Sequence, residues 1–220
     1  MNIRHHPREE TLMAFAAGTL VPALSATVAC HLALCPRCRT DVRHMERIGG
    51  ALLRHVSAEA VSGERLNRLL AQTPAIALDP RIATGMQPNP DNDGVMPRPL
   101  ARHLGIQMDE VPWKNMAPGI DQYRVKVERG GGDIRLVRVQ AGLKLLRHGH
   151  YGTELTLVLK GAYTDETGEY RVGDVADHDE DIEHRPHVTK DGECISIIAG
   201  ETYPRYKNLK ARLLRPFLGL

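Results

Sequence analysis

Residues 30–38, CHLALCPRC, are the stretch that decides how the amino-terminal part of this 220-residue chain is organised. His31 and Cys35 stand four positions apart and therefore project from one face of a helix. The Cys-Pro-Arg-Cys turn brings a second thiol, that of Cys38, back toward the first. Three side chains that bind zinc well thus converge on one point. The stretch predicts a helical module that is organised by a metal ion.

A tetrahedral zinc site needs a fourth donor, and an amino-terminal histidine can supply it. His6 lies just before the first apolar-periodic segment and is the expected ligand, with its neighbour His5 as the alternative. Four protein ligands leave no open position for water, so this zinc is expected to be structural. A redox Cys pair is the competing interpretation, but such pairs usually open a helix in a strand-helix fold. Cys30 is expected to be a small core residue.

Apolar residues at helical spacing predict an all-α bundle here. The expected helices are Glu9–Ala17, Pro22–Leu34, Arg39–His55 and a short one that Ser62 caps and that carries Leu66, Leu69 and Leu70. A bundle of this size buries little apolar surface, so metal binding is expected to contribute much of its stability. Apolar residues left outside the core would form a docking surface. The predicted helical domain spans residues 1–75, followed by a proline-rich linker over residues 76–99.

Beyond the linker the apolar period changes to two, which is typical of strands. Tyr123–Glu128 and Ile134–Gln140 are expected to form a hairpin around a glycine-rich turn. Leu155–Lys160 and Glu193–Ala199 are further expected strands. Tyr206–Leu220 has the pattern of a short amphipathic helix. Residues 100–220 are therefore predicted to form a second domain that is mostly β.

One run in this second domain carries metal-binding chemistry: Gly142 to Gly161, GLKLLRHGHYGTELTLVLKG. His148 and His150 are two positions apart, so both imidazoles leave one face of a strand, and Glu154 keeps the same parity. A fourth donor, His184, follows later in GDVADHDEDIEH. Three imidazoles and one carboxylate form a set that binds divalent metals. The two motifs together match the metal signature of cupins, which are jelly-roll barrels.

The second motif departs from the usual cupin pattern. Asp179 and Asp181 replace its proline and glycine, and Val188 stands where asparagine is frequent. His178 and His187 are alternatives to His184 as the ligand. Cys194, in an expected core strand, is interpreted first as a buried small residue and only second as an oxidation sensor.

Composition narrows the classes of function and the expected compartment. The chain has 29 Lys and Arg against 27 Asp and Glu, a net charge of +2, with no strongly basic segment. Direct binding to nucleic acid is therefore disfavoured. Four cysteines, two of them expected on zinc, make no disulfide framework, and thiolate ligands favour the cytoplasm. No apolar run approaches a signal-peptide core or the roughly 20 residues of a membrane span, so no membrane association is expected.

The whole arrangement resembles the ChrR-type zinc anti-sigma factors, which carry a cupin-like carboxy-terminal domain. The resemblance rests on RHHPREETLMAFAAGTL and CHLALCPRCR at one end, and on HGHYGTELTLVLKGAYTDETGEY, GD and IEH at the other. It implies that the helical domain binds a sigma factor of the extracytoplasmic-function group and masks surfaces that the sigma factor uses to bind core RNA polymerase. His6, His31, Cys35 and Cys38 would then be structural zinc ligands.

The resemblance further implies that the cupin domain is a sensor and that the protein is not an enzyme. The cupin would hold a second zinc through His148, His150, Glu154 and His184, and would respond to singlet oxygen or organic hydroperoxides. The alternative is a metal-dependent cupin enzyme, such as a small-molecule dioxygenase using iron or manganese, with the helices as an accessory module.

Overall fold

The computed structural model describes residues 2–72, 96–127 and 130–202. The predicted linker, apart from its last residues 96–99, lies outside the described residues, and so does the predicted tail helix Tyr206–Leu220.

The amino-terminal part is helical, as its periodicity predicts. Its helices are α1 (Glu9–Ala16), α2 (Pro22–Leu34), α3 (Pro36–Leu53) and α4 (Gly63–Gln72). Helices α2 and α3 begin with proline, whose fixed φ suits the first helical turn. Helix α3 starts before the predicted Arg39 because the sulfur of Cys35 accepts the N–H of Cys38 at its first turn. Ser62 caps α4 as expected, since its hydroxyl accepts the N–H of Arg65 at 3.3 Å.

A short helix α5 (Arg98–Leu104) and a 3-10 turn (Met108–Glu110) lead into the β part. The strands there are β1 (Lys114–Ala117), β2 (Ile120–Arg124), β3 (Asp133–Val139), β4 (Glu154–Lys160), β5 (Ala162–Asp165), β6 (Gly168–Arg171), β7 (Val175–His178), β8 (His187–Val188) and β9 (Cys194–Gly200). They form a six-stranded sheet in the order β1-β2-β3-β9-β4-β7 and a three-stranded sheet β6-β5-β8, all antiparallel. The predicted class, amino-terminal helices followed by an all-β domain, is confirmed.

The predicted hairpin is present, but its first strand lies earlier than expected. Strand β2 runs from Ile120 to Arg124, and Tyr123 lies opposite Leu136 of β3. Its start is determined by β1, because Gln122 pairs with Lys114 on its other edge. Alternation in sequence shows which face a side chain takes, whereas pairing with both neighbours determines where the strand begins.

The helical part packs directly on the six-stranded sheet. Leu24 and Val28 of α2 are fully buried in the same apolar cluster as Leu155 of β4 and Ile197 of β9. A second apolar cluster lies on the opposite side of β4 and includes Val158. Because β4 alternates its side chains between these clusters, nearly the whole strand is buried. The amino-terminal helices are thus held against the strands that carry the second candidate metal cluster.

Candidate metal centres

The structure brings His6, His31, Cys35 and Cys38 together at one point. One ligand atom from each residue lies within 4.8 Å of all the others. The Sγ atom of Cys38 is 3.3 Å from Nε2 of His31 and 3.3 Å from Nδ1 of His6. The Sγ atom of Cys35 is 3.5 Å from the same His6 nitrogen. Two imidazole nitrogens and two sulfurs form the donor set of a tetrahedral His2Cys2 site.

Local structure orients these donors toward the shared point. His31 lies in the last turn of α2, and its Nδ1 donates to the carbonyl oxygen of Gly173 at 3.0 Å, which leaves the lone pair of Nε2 facing the thiols. Burial lowers the pKa of His31 to about 4, so the imidazole is neutral, the form that binds metal. Burial, and next the neighbouring Cys35, raise the pKa of Cys38 to about 12. A cation between the sulfurs would stabilise their thiolate forms, and the set therefore fits zinc.

His5 and Cys30, which the sequence did not favour as ligands, lie outside the amino-terminal cluster. The ring of His5 contacts that of Tyr170, with centroids 4.6 Å apart. Consecutive residues of an extended segment point in opposite directions, so when His5 faces Tyr170 its neighbour His6 faces the thiols. Cys30 is buried in the apolar core.

A second cluster is formed by His148, His150, Glu154 and His184, again with donor atoms within 4.8 Å of one another. Glu154 is the first residue of β4, and the two earlier histidines lie in the segment that leads into it. His184 comes from a distant part of the chain and is joined to His148 by an isolated β-bridge. Their backbone groups exchange hydrogen bonds of 3.0 and 3.1 Å, which places the two imidazoles side by side.

Hydrogen bonds on the outer nitrogens orient the imidazoles of this cluster. His148 donates from Nδ1 to the carbonyl oxygen of Leu146 at 2.9 Å, and His184 donates from Nδ1 to the carboxylate of Asp165 at 2.8 Å. Their Nε2 atoms face each other at 3.1 Å. A shared proton would satisfy that pair, but the buried Nε2 of His150 would still have no partner among the described residues. A metal ion satisfies all three nitrogens at once.

The protonation states also suit a cation. Burial lowers the pKa of His148 to about 4, which keeps the ring neutral. Burial opposes the ionisation of Glu154, but a hydrogen bond from His150, whose Nδ1 lies 3.2 Å from the carboxylate, outweighs it and lowers the pKa of Glu154 to about 2. Neutral imidazoles and an ionised carboxylate are the states that bind divalent metals.

Sequence reasoning missed Asp165, which supports the second cluster from outside. Its side chain is fully buried against His184. Burial opposes its ionisation, yet hydrogen bonds from His184 and Thr167 lower its pKa to about 2. Its position at the end of β5 has no metal-binding spacing relative to the other candidate ligands, so no sequence signal pointed to it. Carboxylates of this kind orient metal-binding histidines and raise their basicity.

His178 and His187, the two alternatives to His184 as a ligand, lie at different distances from the cupin cluster. His178 lies close to the cluster, with its ring centroid 4.5 Å from that of His184, and forms a smaller candidate group with Asp165 and His184. His187 belongs to β8 and lies opposite Thr164 of β5, outside the cluster. His184 is therefore the downstream histidine that the structure places with His148, His150 and Glu154.

Within residues 2–72, 96–127 and 130–202, no helix combines the length and the apolar character that crossing a membrane requires.

Comparison with known proteins agrees with this architecture. Residues 101–202 match the family model of the ChrR cupin-like domain, so the predicted cupin fold is confirmed. The chain is 35% identical over 218 residues to the anti-sigma-E factor ChrR of Cereibacter sphaeroides, covering 99% of both proteins. It is similar to a chain in the crystal structure of Rhodobacter sphaeroides SigE in complex with the anti-sigma ChrR, at 35% identity and a TM-score of 0.73. That match covers 90% of this chain and 99% of the other.

These similarities extend over the helices and the strands together. The relative is an anti-sigma factor, a regulatory protein, so the prediction of a regulator is confirmed and the alternative of a cupin enzyme loses its support. The chain belongs to the ChrR family of anti-sigma factors.

Proposed function

We propose that this protein binds a sigma factor of the extracytoplasmic-function group and inhibits it by stoichiometric binding. The observation that carries the proposal is the similarity over 99% of the chain to a protein that is an anti-sigma factor. The similar solved structure is a complex of such a protein with its sigma factor, SigE. Inhibition requires no chemical step, because masking the polymerase-binding surface of the sigma factor is sufficient.

An exposed apolar surface on the helical part supports binding to a protein. We define the α3–α4 apolar surface by its members: Ile48, Leu52, Leu53, Val56, Val61, Leu66, Leu69 and Leu70, each more than half exposed. Helix α4 has no buried residue although its apolar side chains fall at helical spacing. Exposed apolar side chains in such number on one part of a folded chain are typical of sites of protein association. The sigma factor is the proposed occupant because the relative forms such a complex.

We propose zinc in both clusters. In the amino-terminal cluster, His6, His31, Cys35 and Cys38 would hold a structural zinc that links the segment before α1 to the junction of α2 and α3. In the cupin cluster, the three histidines and Glu154 would hold a second ion. A divalent ion there supplies a positive charge and a position for an additional ligand. Because zinc is redox-inactive, sensing would proceed through ligand exchange or structural loosening.

We further propose that the cupin domain regulates release of the sigma factor under oxidative stress. The stress would be caused by singlet oxygen or organic hydroperoxides. Hydrogen bonds between the amino-terminal segment and the cupin domain provide a physical path by which a change in the cupin would reach the helical part. The side chain of Asp174 accepts the backbone N–H groups of Arg4 and His5 at 2.7 and 3.0 Å, and the N–H of Val175 donates to the carbonyl of His5 at 3.1 Å. The segment that carries His6 is thus bound along β7.

Strand β7 borders both candidate metal clusters. Asp177 accepts the Arg8 backbone N–H at 2.9 Å and the Thr11 hydroxyl at 2.7 Å, at the start of α1. The next residue, His178, lies beside the cupin cluster. A change of ligands in the cupin would therefore alter the strand that holds the amino-terminal segment. The proposed compartment is the cytoplasm, where zinc-bound thiolates and sigma factors are both maintained.

In vitro transcription tests the central proposal. Core polymerase, a candidate extracytoplasmic-function sigma factor from the same genome and a cognate promoter are mixed with increasing amounts of the full-length protein. We expect transcripts to fall to background near one protein per sigma factor. The control is the Cys35→Ser/Cys38→Ser variant, which would lose the structural zinc and the inhibition. Unchanged transcription at saturating protein with each such sigma factor of that genome would reject the proposed function.

A further inference from the structure

A small cavity adjoins the cupin cluster and extends beyond its ligands along an apolar wall. Its volume is about 50 Å³. On one side it reaches His148, Glu154 and His184, and its remaining wall includes the apolar side chains of Val139 and Leu145. A cavity that joins candidate metal ligands to an apolar wall suits a molecule with one polar end and one apolar end.

Tyr163 lines the same cavity and has an unsatisfied polar group. The residue is 96% buried, and its hydroxyl has no hydrogen-bond partner among the described residues. The neighbouring Tyr170, which stacks on it with centroids 5.0 Å apart, differs in this respect, because its hydroxyl lies 2.8 Å from that of Thr167. A buried hydroxyl without a partner is costly, and such groups in folded proteins generally serve a ligand or a function.

We propose that this cavity binds a short-chain monocarboxylate, which accepts a hydrogen bond from Tyr163 and places its hydrocarbon end against Val139 and Leu145. The proposal rests on the proposed metal in the cupin cluster. A divalent ion with Glu154 as the only charged ligand leaves a net charge of +1 within the ligand set, which a monoanion complements, because the Asp165 carboxylate lies behind His184 and outside that set. The carboxylate would approach the cluster on the side where His148 and His184 line the cavity.

The volume limits the length of the ligand. A water-sized group needs about 10–15 Å³ of such space, so a cavity of about 50 Å³ accepts roughly three to five groups of that size. Acetate and propionate are within this limit, whereas a medium-chain acid such as octanoate exceeds it. A neutral alcohol of the same length could fill the apolar end but would not complement the charge.

Calorimetry on the zinc-loaded full-length protein tests the proposal, with propionate as the probe. We expect saturable binding of one propionate per chain, about tenfold weaker binding by Tyr163→Phe, and no measurable binding of octanoate or 1-propanol. Tyr123→Phe is the matched control, because it removes a tyrosine hydroxyl in β2, away from the cavity, and should bind propionate like the unmodified protein.

A stability measurement separates a ligand-binding role from a structural one. Because the Tyr163 hydroxyl has no partner, Tyr163→Phe should leave the thermal midpoint of the ligand-free protein unchanged or higher. Equal propionate affinity in Tyr163→Phe and the unmodified protein would overturn the proposal. A lowered midpoint with unchanged affinity would overturn it too, and would assign the hydroxyl a structural role.

Zinc content, measured on the same samples, distinguishes failure of the proposed carboxylate site from failure of the proposed cupin metal on which it rests. Two zinc ions per chain without propionate binding would overturn the carboxylate site alone. One zinc per chain that is absent from the Cys35→Ser/Cys38→Ser variant would overturn the second metal and the carboxylate site together. Neither result affects sigma binding, which the transcription assay measures independently.

Discussion

At the residue scale, Gly161 illustrates why the glycines of the cupin motif are present. Its φ is +69°, and a Cβ there would stand 2.2 Å from the carbonyl oxygen of Glu193 at the start of the neighbouring strand. Gly142, the first glycine of the motif, has a similar φ of +73°, but its nearest neighbour would be a side-chain carbon of Lys190 at 3.8 Å. Both glycines have a left-handed backbone that a residue with a Cβ would adopt only with strain. Only Gly161 also lacks the room for a Cβ.

This difference yields a stability prediction. Gly142→Ala is expected to cost about 1–2 kcal/mol, the penalty of a left-handed conformation for a residue with a Cβ. Gly161→Ala should cost at least about 2 kcal/mol more, because the strand pair must separate. Urea unfolding of the two variants measures both values. Equal losses would show that the close approach to Glu193 is not a constraint.

Asp165 carries the second residue-scale prediction. Asp165→Asn keeps the shape but removes the negative charge that His184 contacts at 2.8 Å. We expect metal affinity at the cupin cluster to fall by about 10–100-fold, the usual effect of losing such a support. Competition with a chelator of known affinity measures it. Asp191→Asn, an exposed control, should leave the affinity unchanged, and an unchanged value for Asp165→Asn would mean that Asp165 does not tune the site.

At the element scale, α4 is the helix whose apolar residues are least explained by the fold. Leu66 is 51% exposed and Leu70 is 62% exposed. Leu66→Asp/Leu70→Asp should therefore change the free energy of unfolding little, since surface changes usually stay within about 0.5 kcal/mol per site. Sigma binding should weaken at least about 100-fold, because burying a carboxylate at an apolar interface is costly.

Surface plasmon resonance against the sigma factor, together with chemical unfolding, measures both quantities. Leu146→Asp is the matched control, because Leu146 is 50% exposed but lies on the β part. If sigma binding is retained by the α4 variant, the α3–α4 apolar surface is not the docking site.

Local sequence signals predict where a helix begins and ends, whereas contacts with other elements determine which of its residues are buried. Helix α2 could be predicted at both ends because Pro22 opens it and the turn after Leu34 closes it locally. The apolar face of α3 is buried only in its first half, since Val42 is buried while Ile48 and Leu52 are exposed. Periodicity identifies the apolar face of a helix, but burial requires a partner, and residues 2–72, 96–127 and 130–202 supply one only for the first half of α3.

At the scale of the whole molecule, Asp174 joins the amino-terminal segment to the cupin. It is 1% exposed and accepts three backbone N–H groups, those of Arg4, His5 and Arg171. In Asp174→Ala these donors lose their partner, and unpaired buried groups cost about 1–3 kcal/mol each. The loss should fall on the segment that carries His6 and thereby loosen the amino-terminal cluster of His6, His31, Cys35 and Cys38.

The expected result is faster modification of Cys35 and Cys38 in the zinc-loaded protein, by about tenfold or more, because local opening exposes them. Mass spectrometry after timed exposure to a thiol reagent measures the rate at each cysteine. Asp191→Ala, which removes an exposed carboxylate, is the control. Unaltered rates in Asp174→Ala would show that the zinc cluster is independent of the contacts with the β part.

The sequence by itself determined the local ligand sets, because His31, Cys35 and Cys38 lie within three helical turns and His148, His150 and Glu154 within seven residues. At such short separations the backbone periods of helix and strand suffice to bring side chains together. Charge balance disfavoured nucleic acid as the partner, and the resemblance to ChrR-type anti-sigma factors, which the two motifs carry, implied a regulator that binds a sigma factor.

Only the tertiary structure decided which distant residues complete and support these sets. The sequence favoured His6 over His5 and His184 over His187, but packing across more than ten residues of sequence is what brings His6 and His184 to their clusters and Asp165 against His184. The carbonyl of Gly173, which orients His31, comes from the other part of the chain altogether. Sequence spacing does not show that such distant groups meet, and it gave no sign of Asp165 or Gly173, because the path of the intervening chain is determined by pairing and burial over the whole fold.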